Sequence, residues 1–306
     1  MQTTLRTEAS FAGVGLHTGR PVRMAIRPAA AHFGIWFRRL DVADADPLIA
    51  ARYDQVPETR LCTRLRNEHG VEVSTVEHVM AALSGCGVHN ALIELDGPEV
   101  PILDGSAAPF VRAILARGVV RQDAPVMAFE VRQTIRVDSG DAWAELRPAA
   151  GLSMTFTIEF DDAAIGQQTR KADLANGRFV RDLCDSRTFC RARDVDAMQQ
   201  AGLALGGTYD NAVIVDGDRV LTPGGLRHAD EAVRHKMLDA MGDLALAGAP
   251  LLAHYEGHRA GHALTNKLLR KLFATPGAVR LVPCDTAQMT RLPGTDVGVN
   301  DLANVA

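Results

Sequence analysis

The order of hydrophobic patterns along the chain constrains its fold more than any other feature. Residues 22–27 and 34–38 alternate apolar and polar side chains, as half-buried β-strands do. From Ser74 the period changes to that of an amphipathic helix. A strand at 91–95 and a second helix at 107–116 follow. The first part of the chain therefore predicts strands followed by two helices.

The second part of the chain repeats this order. Three segments with strand character, at 129–137, 143–146 and 152–160, are separated by turn residues and predict an antiparallel meander. Two helices, predicted at 230–246 and 263–273, then close the chain.

This repetition predicts the domain organisation. We expect an α+β protein with two domains, 1–125 and 126–306, each a mostly antiparallel sheet packed against a pair of helices. The 306 residues are enough for two such domains with their own cores. The junction between them is the expected place for a ligand.

Composition excludes several classes of protein. No stretch approaches the roughly 18 apolar residues of a membrane span. The net charge of −4 and the aromatic fraction of 5% argue against a nucleic-acid partner. The N-terminal residues lack the pattern of a secretory signal, and the five cysteines form no C-x-x-C pair. We therefore expect a cytoplasmic protein with reduced thiols.

Two pairs of residues have the spacing of metal chemistry. His235 and Asp239 are four apart on a predicted helix, so their side chains project toward one point, and Asp243 continues the row. Glu77 and His78 are adjacent, as a general base and a ligand often are in zinc hydrolases. Each pair alone is more typical of an ordinary helix face than of a metal site, and Glu77 also fits an S/T-x-x-E capping box with the serine at position 74.

Two further segments carry chemistry-bearing residues. His262 lies at the start of the last predicted helix, where an imidazolium needs a carboxylate partner, and Asp243 is the candidate. The glycine-rich segment 13–19 looks at first like a phosphate loop. It lacks the G-K-[ST] ending and does not clearly open a helix, so a nucleotide-binding P-loop is rejected.

Taken together, these segments resemble one known family. The sequence resembles the metal-dependent UDP-3-O-acyl-N-acetylglucosamine deacetylases of lipid A synthesis over almost its whole length. Six motifs stand in the family's order: GVGLHTG (13–19), STVEH (74–78), PILDGSA (101–107), SRTF (186–189), VRHKMLD (233–239) and GHAL (261–264).

The resemblance implies a metal site and a set of catalytic residues. A zinc ion, or ferrous iron in the cell, would be held by His78, His235 and Asp239. Glu77 would be the general base and Thr188 would help hold the oxyanion. The remaining implied catalytic residues are Lys236 and His262, the latter oriented by Asp243.

The resemblance also implies where the substrate lies. Contacts with the UDP-sugar would come from Lys236, Glu159, Phe160 and Arg259. An apolar passage for the 3-O-acyl chain would be lined by residues 189–215, including Phe189, Gly207, Thr208 and Ala212. The family often has a lysine where Ala142 stands, so a phosphate contact from that position is missing or supplied elsewhere. Cys62 matches a family cysteine near the metal that is not a ligand.

Some alternatives stay open from sequence. The enzyme is expected to be a monomer and to bind a small UDP-sugar substrate with an acyl chain. A metal-dependent amidase of another acylated amino sugar, or a non-catalytic binding protein on the same fold, fits the same residues. An inactive relative would be expected to have lost Glu77 or a ligand, and none is lost. Whether Glu77 moves the protons alone or together with His262 is also open.

Overall fold

The computed structural model of the protein describes residues 1–57, 59 and 61–302. Its strands are β1 (Thr3–Leu5), β2 (Ala9–Val14), β3 (Pro21–Pro28), β4 (Ile35–Arg39), β5 (Leu48–Ala50), β6 (Arg64–Arg66), β7 (Glu72–Ser74), β8 (Ala91–Leu95), β9 (Val119–Arg121), β10 (Met127–Val131), β11 (Ile135–Ser139), β12 (Ala142–Pro148), β13 (Ser153–Glu159), β14 (Gln167–Asp173), β15 (Phe189–Arg191), β16 (Val213–Asp216), β17 (Arg219–Val220), β18 (Leu251–His258) and β19 (Val279–Pro283). Its α-helices are α1 (Glu77–Gly85), α2 (Ala108–Arg117), α3 (Arg178–Asp182), α4 (Ala192–Gln200), α5 (Glu231–Ala245), α6 (His262–Ala274) and α7 (Thr286–Met289). Short 3₁₀ helices lie at Tyr53–Gln55 and Val299–Leu302.

The first large sheet has five strands in the order β2-β3-β8-β4-β5. All its pairings are antiparallel except β4 with β8. The alternation predicted at 22–27 appears as β3, in which Val22, Met24 and Ile26 are buried and their neighbours face outward. The strand predicted at 91–95 is β8, at the centre of the sheet.

The second large sheet has seven strands, and here two predictions are wrong. Residues 129–137 do not form one strand, because β10 pairs with β18 and β19 whereas β11 pairs with β12. The meander is also wrong, since β18 lies between β12 and β13 and is parallel to β13. Alternation along a sequence indicates which face of a strand is buried and does not identify its partner strand.

The helices predicted at 107–116, 230–246 and 263–273 are present within one residue of those bounds, and the helix expected from Ser74 begins at Glu77. They do not close the chain, because β19 and α7 follow α6. The fold class is nevertheless confirmed: the described residues form an α+β structure whose sheets are mostly antiparallel. The proposed boundary near residue 125 lies between β9 and β10, which belong to different sheets.

Helices α1 and α5 pack directly against each other, and a glycine makes this possible. Gly242 lies inside α5, where glycine costs roughly 1 kcal/mol relative to alanine. A Cβ at this position would clash with the backbone carbonyl oxygen of Glu77 on α1. The glycine therefore sets how closely the two helices approach each other. It also sets how close the residues on one helix lie to those on the other.

We expect Gly242→Ala to destabilise the protein and to weaken metal binding together. The added methyl group meets backbone atoms that cannot move aside, so the helices must separate at an overpacking cost of about 1–3 kcal/mol. Thermal unfolding and metal content after dialysis measure the two effects. Gly298→Ala is the control, because a Cβ there meets no atom within 4 Å. Unchanged metal affinity in a destabilised Gly242→Ala protein would contradict this prediction.

Candidate active site

The i, i+4 pair on α5 forms the first half of the site. His235 and Asp239 are both buried, with 3% and 5% of their surface exposed. The His235 Nδ1–H donates to the carbonyl oxygen of Ser186 at 3.0 Å, which leaves the Nε2 lone pair facing Asp239 Oδ1 at 3.3 Å. A histidine whose second nitrogen donates to a carbonyl in this way is typical of a metal ligand.

The start of α1 supplies the second half. His78 Nε2 lies 3.5 Å from Asp239 Oδ1, and the His78 ring meets the His235 ring edge-on with centroids 5.1 Å apart. One donor atom from each of the three residues falls within 4.8 Å of the others. Asp239 Oδ1 is buried and has no hydrogen-bond partner among the described residues. A metal ion would satisfy these converging lone pairs, and two histidines with one carboxylate are a set that suits zinc.

The charges around this group match a cation site. Burial lowers the pKa of His235 to about 4, so its imidazole is neutral at pH 7, as a ligand must be. Burial alone raises the pKa of Asp239, but His235 and Lys236 outweigh burial and keep that pKa well below its usual range. Lys236 Nζ donates to Asp239 Oδ2 at 2.7 Å. The carboxylate is thus ionised and oriented by its neighbours.

The capping box predicted for Glu77 is wrong. Val76 is the N-cap of α1 and no side chain caps the helix. The Glu77 side chain instead accepts a hydrogen bond from the backbone N–H of Thr63 at 3.0 Å, and the Ser74 hydroxyl donates to the carbonyl oxygen of Pro98 at 3.3 Å. Both residues that would complete a cap are therefore engaged in tertiary contacts, and the Glu77 carboxylate is turned toward the cluster.

His262 is the first residue of α6 and stands beside Glu77. Its Nδ1–H donates to Asp243 Oδ2 at 2.8 Å, and its Nε2 lies 3.8 Å from Glu77 Oε1 and 4.0 Å from Asp239 Oδ2. Burial lowers the pKa of His262, but the carboxylates of Asp243 and Glu77 outweigh burial and raise it to about 9. Burial raises the pKa of Glu77, against the effect of His262. An acid and a base therefore face one another at the edge of the cluster.

The expected substrate-contacting residues fall into two groups. Near the cluster, the Phe189 ring lies 6.3 Å from the His235 ring and 5.4 Å from the Phe160 ring. Arg259 and Glu159 are about half exposed, and their charged groups are 3.9 Å apart. Half-buried Thr188 is joined to the first part of the chain through its N–H, which donates to the carbonyl of Gly105 at 2.8 Å.

Three of the residues expected to line the acyl passage lie between α4 and β16, namely Gly207, Thr208 and Ala212, and the fourth, Phe189, lies on β15. Gly207 and Thr208 are exposed, whereas Ala212 is buried. The segment rests on the glycine-rich loop, because the Gly206 N–H donates to the carbonyl of Leu16 at 2.9 Å. This contact joins the segment to that loop, and it does not test the passage.

Sequence reasoning missed two buried residues, Thr63 beside Glu77 and Glu99 beneath the glycine-rich loop. Thr63 contacts Glu77, and Glu99 accepts hydrogen bonds from the backbone N–H groups of His17 and Thr18, each at 2.8 Å. The amides of the glycine-rich loop are thus held by a carboxylate of the chain itself. The signals in the sequence were an acidic residue after a Gly-Pro turn and a threonine after Cys62, which are too common to be informative. Burial raises the pKa of the Cys62 thiol to about 12, and this residue is not part of the metal-binding group.

Comparison with known proteins identifies the family. Residues 2–274 match the sequence model of the UDP-3-O-acyl N-acetylglycosamine deacetylases. The chain belongs to this family. Among similar proteins, the UDP-3-O-acyl-N-acetylglucosamine deacetylase of Phenylobacterium zucineum is 49% identical, over 92% of this chain and 96% of that protein. Those of Idiomarina loihiensis and Pasteurella multocida are 45% and 43% identical, each over 94% of this chain and over 95% and 94% of their own lengths.

The family match confirms the resemblance found in the six motifs. His78, His235 and Asp239 lie within the matched residues. Among the described residues, no helix combines the length and the apolar character needed to cross a membrane.

Proposed function

We propose that this deacetylase hydrolyses the N-acetyl group of UDP-3-O-acyl-N-acetylglucosamine, the committed step of lipid A synthesis. The products are acetate and UDP-3-O-acyl-glucosamine. The observation that carries the proposal is the buried group of His78, His235 and Asp239 with Glu77 and His262 beside it, in a chain of this family. The printed names of the relatives supply the substrate.

The proposed cofactor is a zinc ion held by His78, His235 and Asp239, with ferrous iron as the alternative in the cell. A divalent ion in such a site lowers the pKa of a bound water to about 7 and polarises the carbonyl that is attacked. The chain contributes the neutral imidazole of His235, held by Ser186, and the ionised carboxylate of Asp239, held by Lys236.

Glu77 and His262 divide the proton transfers in this proposal. Glu77 takes a proton from the water whose oxygen attacks the acetyl carbon, and its raised pKa makes it a stronger base than an exposed carboxylate. The C–N bond then breaks, and the amine nitrogen must receive a proton because an amine anion is a very poor leaving group. His262, which the Asp243 carboxylate keeps protonated, donates this proton to the amine. The Thr188 hydroxyl donates to the oxyanion of the tetrahedral intermediate.

The substrate is proposed to lie between the two domains, 1–125 and 126–306. Glu159, Phe160, Arg259 and Lys236 are proposed to contact the UDP-sugar, and the aromatic contacts from Phe160 through Phe189 to His235 support a path toward the cluster. The 3-O-acyl chain is assigned to the segment with Phe189, Gly207, Thr208 and Ala212. We also propose that the protein acts as a cytoplasmic monomer.

The decisive experiment measures acetate release from UDP-3-O-acyl-N-acetylglucosamine by the purified protein. Activity should disappear with a chelator and return with one equivalent of zinc, and a parallel anaerobic addition of ferrous iron compares the two metals. Substrates that lack the UDP group or the acyl chain test the alternative amidase. Release of acetate from these at equal kcat/KM would favour the amidase, and no release from any substrate would favour a binding protein.

The role of Asp243 gives a pH-dependent prediction. An acid must be protonated to act, so activity falls as the pH rises through its pKa. Asp243→Asn removes the carboxylate that raises the pKa of His262, so the alkaline limb of kcat/KM should move to lower pH by about one unit or more. A metal dication nearby lowers this pKa in both proteins, so the difference keeps its sign. An alkaline limb at the same pH in both zinc-loaded proteins would assign that limb to another group.

A further inference from the structure

We propose that Thr63 is a positioning residue that fixes the proton-transferring groups relative to one another. The inference rests on the proposed function and concerns a residue outside the six motifs. Thr63 is buried, with 2% of its surface exposed. Its backbone N–H donates to Glu77 Oε2 at 3.0 Å, and its hydroxyl donates to Asp243 Oδ1 at 2.5 Å. One residue thus holds both the proposed base and the partner of the proposed acid.

The two hydrogen bonds engage the outer oxygen of each carboxylate. The inner oxygens remain directed at His262, with Glu77 Oε1 at 3.8 Å from Nε2 and Asp243 Oδ2 at 2.8 Å from Nδ1. A carboxylate that is held at one oxygen cannot rotate freely about its Cβ–Cγ or Cγ–Cδ bond. Thr63 therefore defines the plane of both carboxylates, and through Asp243 it defines the orientation of the His262 ring.

Thr63 is itself held rigidly. Its carbonyl oxygen accepts the N–H of Val76 at 3.3 Å, so both backbone polar groups of Thr63 bond to the start of α1. The hydroxyl is the group that reaches α5, because Asp243 belongs to that helix. Hydrogen bonds to ionised acceptors are shorter and about twice as strong as those between neutral groups. The contact is thus well suited to transmit the geometry of one helix to the other.

Three variants separate the proposed role from a structural one. Thr63→Val keeps the shape and the backbone donor to Glu77 and removes only the hydroxyl, so Asp243 Oδ1 loses the one partner that it has among the described residues. Thr63→Ser restores the donor. Thr75→Val is the matched control, because its hydroxyl also donates from a buried position to a carboxylate, that of Glu99, without a bond to His262.

In the zinc-loaded protein we expect Thr63→Val to lower kcat about 10- to 100-fold, because a misplacement of about 1 Å can cost this much. KM and zinc content should stay within about twofold of wild type, and Thr63→Ser should recover most of the loss. Thr75→Val should keep kcat within a few-fold. If Thr63→Val does not fold, Thr63→Ala is tested against the same expectations.

A second measurement does not depend on activity. The proton on His262 Nδ1 should give a downfield ¹H NMR signal, which is assigned by its loss in His262→Gln. This signal should shift or disappear in Thr63→Val. It should persist in Thr63→Ser and in Thr75→Val. Wild-type kcat and an unchanged signal in Thr63→Val would overturn the proposal, as would equal losses of kcat in Thr63→Val and Thr75→Val. Absence of acetate release by wild type would instead overturn the proposed function, and the NMR comparison would still test Thr63.

Discussion

Glu77→Gln will lower kcat by roughly 10²–10⁴-fold while the protein keeps its metal, because a general base contributes a factor of that size. Glutamine has the shape of glutamate, and its amide oxygen can still accept the hydrogen bond from the Thr63 N–H. What it lacks is the ability to take a proton. The variant therefore separates proton transfer from folding and from metal binding, since Glu77 is not one of the three proposed ligands.

Three measurements check this result. Zinc content by elemental analysis and the melting temperature should both match wild type, and kcat should fall with little change in KM. Glu94→Gln is the control for loss of a buried carboxylate, because Glu94 lies on β8 and pairs with Arg27 and Arg38. A Glu77→Gln enzyme with more than about a tenth of wild-type kcat would require another base.

The helices and much of the sheet structure followed from the sequence because they depend on local periodicity. Helix α5 was expected at 230–246 and spans Glu231–Ala245, and strand β8 has the expected bounds. The i, i+4 geometry of His235 and Asp239 is also local, since it follows from the helical rise alone. The prediction failed most in the second sheet, where a meander was expected. The sequence pattern did not indicate which strands pair with each other there.

The catalytic group shows the same limit at the level of side chains. No local sequence pattern predicts that His78 lies beside Asp239. The two residues were identified as ligands of one metal only because the motifs that contain them resemble those of a known family. Glu77 illustrates the opposite case: the local pattern predicted a capping box with Ser74, but Glu77 accepts from the Thr63 N–H and the Ser74 hydroxyl donates to the Pro98 carbonyl. A tertiary hydrogen bond to a buried carboxylate thus replaced a local one. Thr63 was missed because its two partners are 14 and 180 residues away.

Asp239→Ala is expected to abolish zinc retention and activity together. It removes the oxygen that faces both His78 Nε2 and His235 Nε2, at 3.5 and 3.3 Å. Removing a residue that only hydrogen-bonds to a metal ligand lowers metal affinity or activity about 10–100-fold. Removing a ligand itself should therefore have a larger effect. The substitution also leaves Lys236 Nζ without its carboxylate partner, and this cation further repels a dication.

The measurement is zinc content and acetate release after dialysis against a weak chelator, followed by titration with zinc. Wild type should retain about one equivalent, and Glu94→Gln should do the same. Asp239→Ala should retain almost none and should regain at most a small fraction of its activity in excess zinc, because the ion would then be held by two imidazoles alone. Because Glu77→Gln loses turnover with its zinc in place, the two variants together distinguish a ligand from a base. Full zinc occupancy with normal turnover in Asp239→Ala would end the assignment of this residue as a ligand.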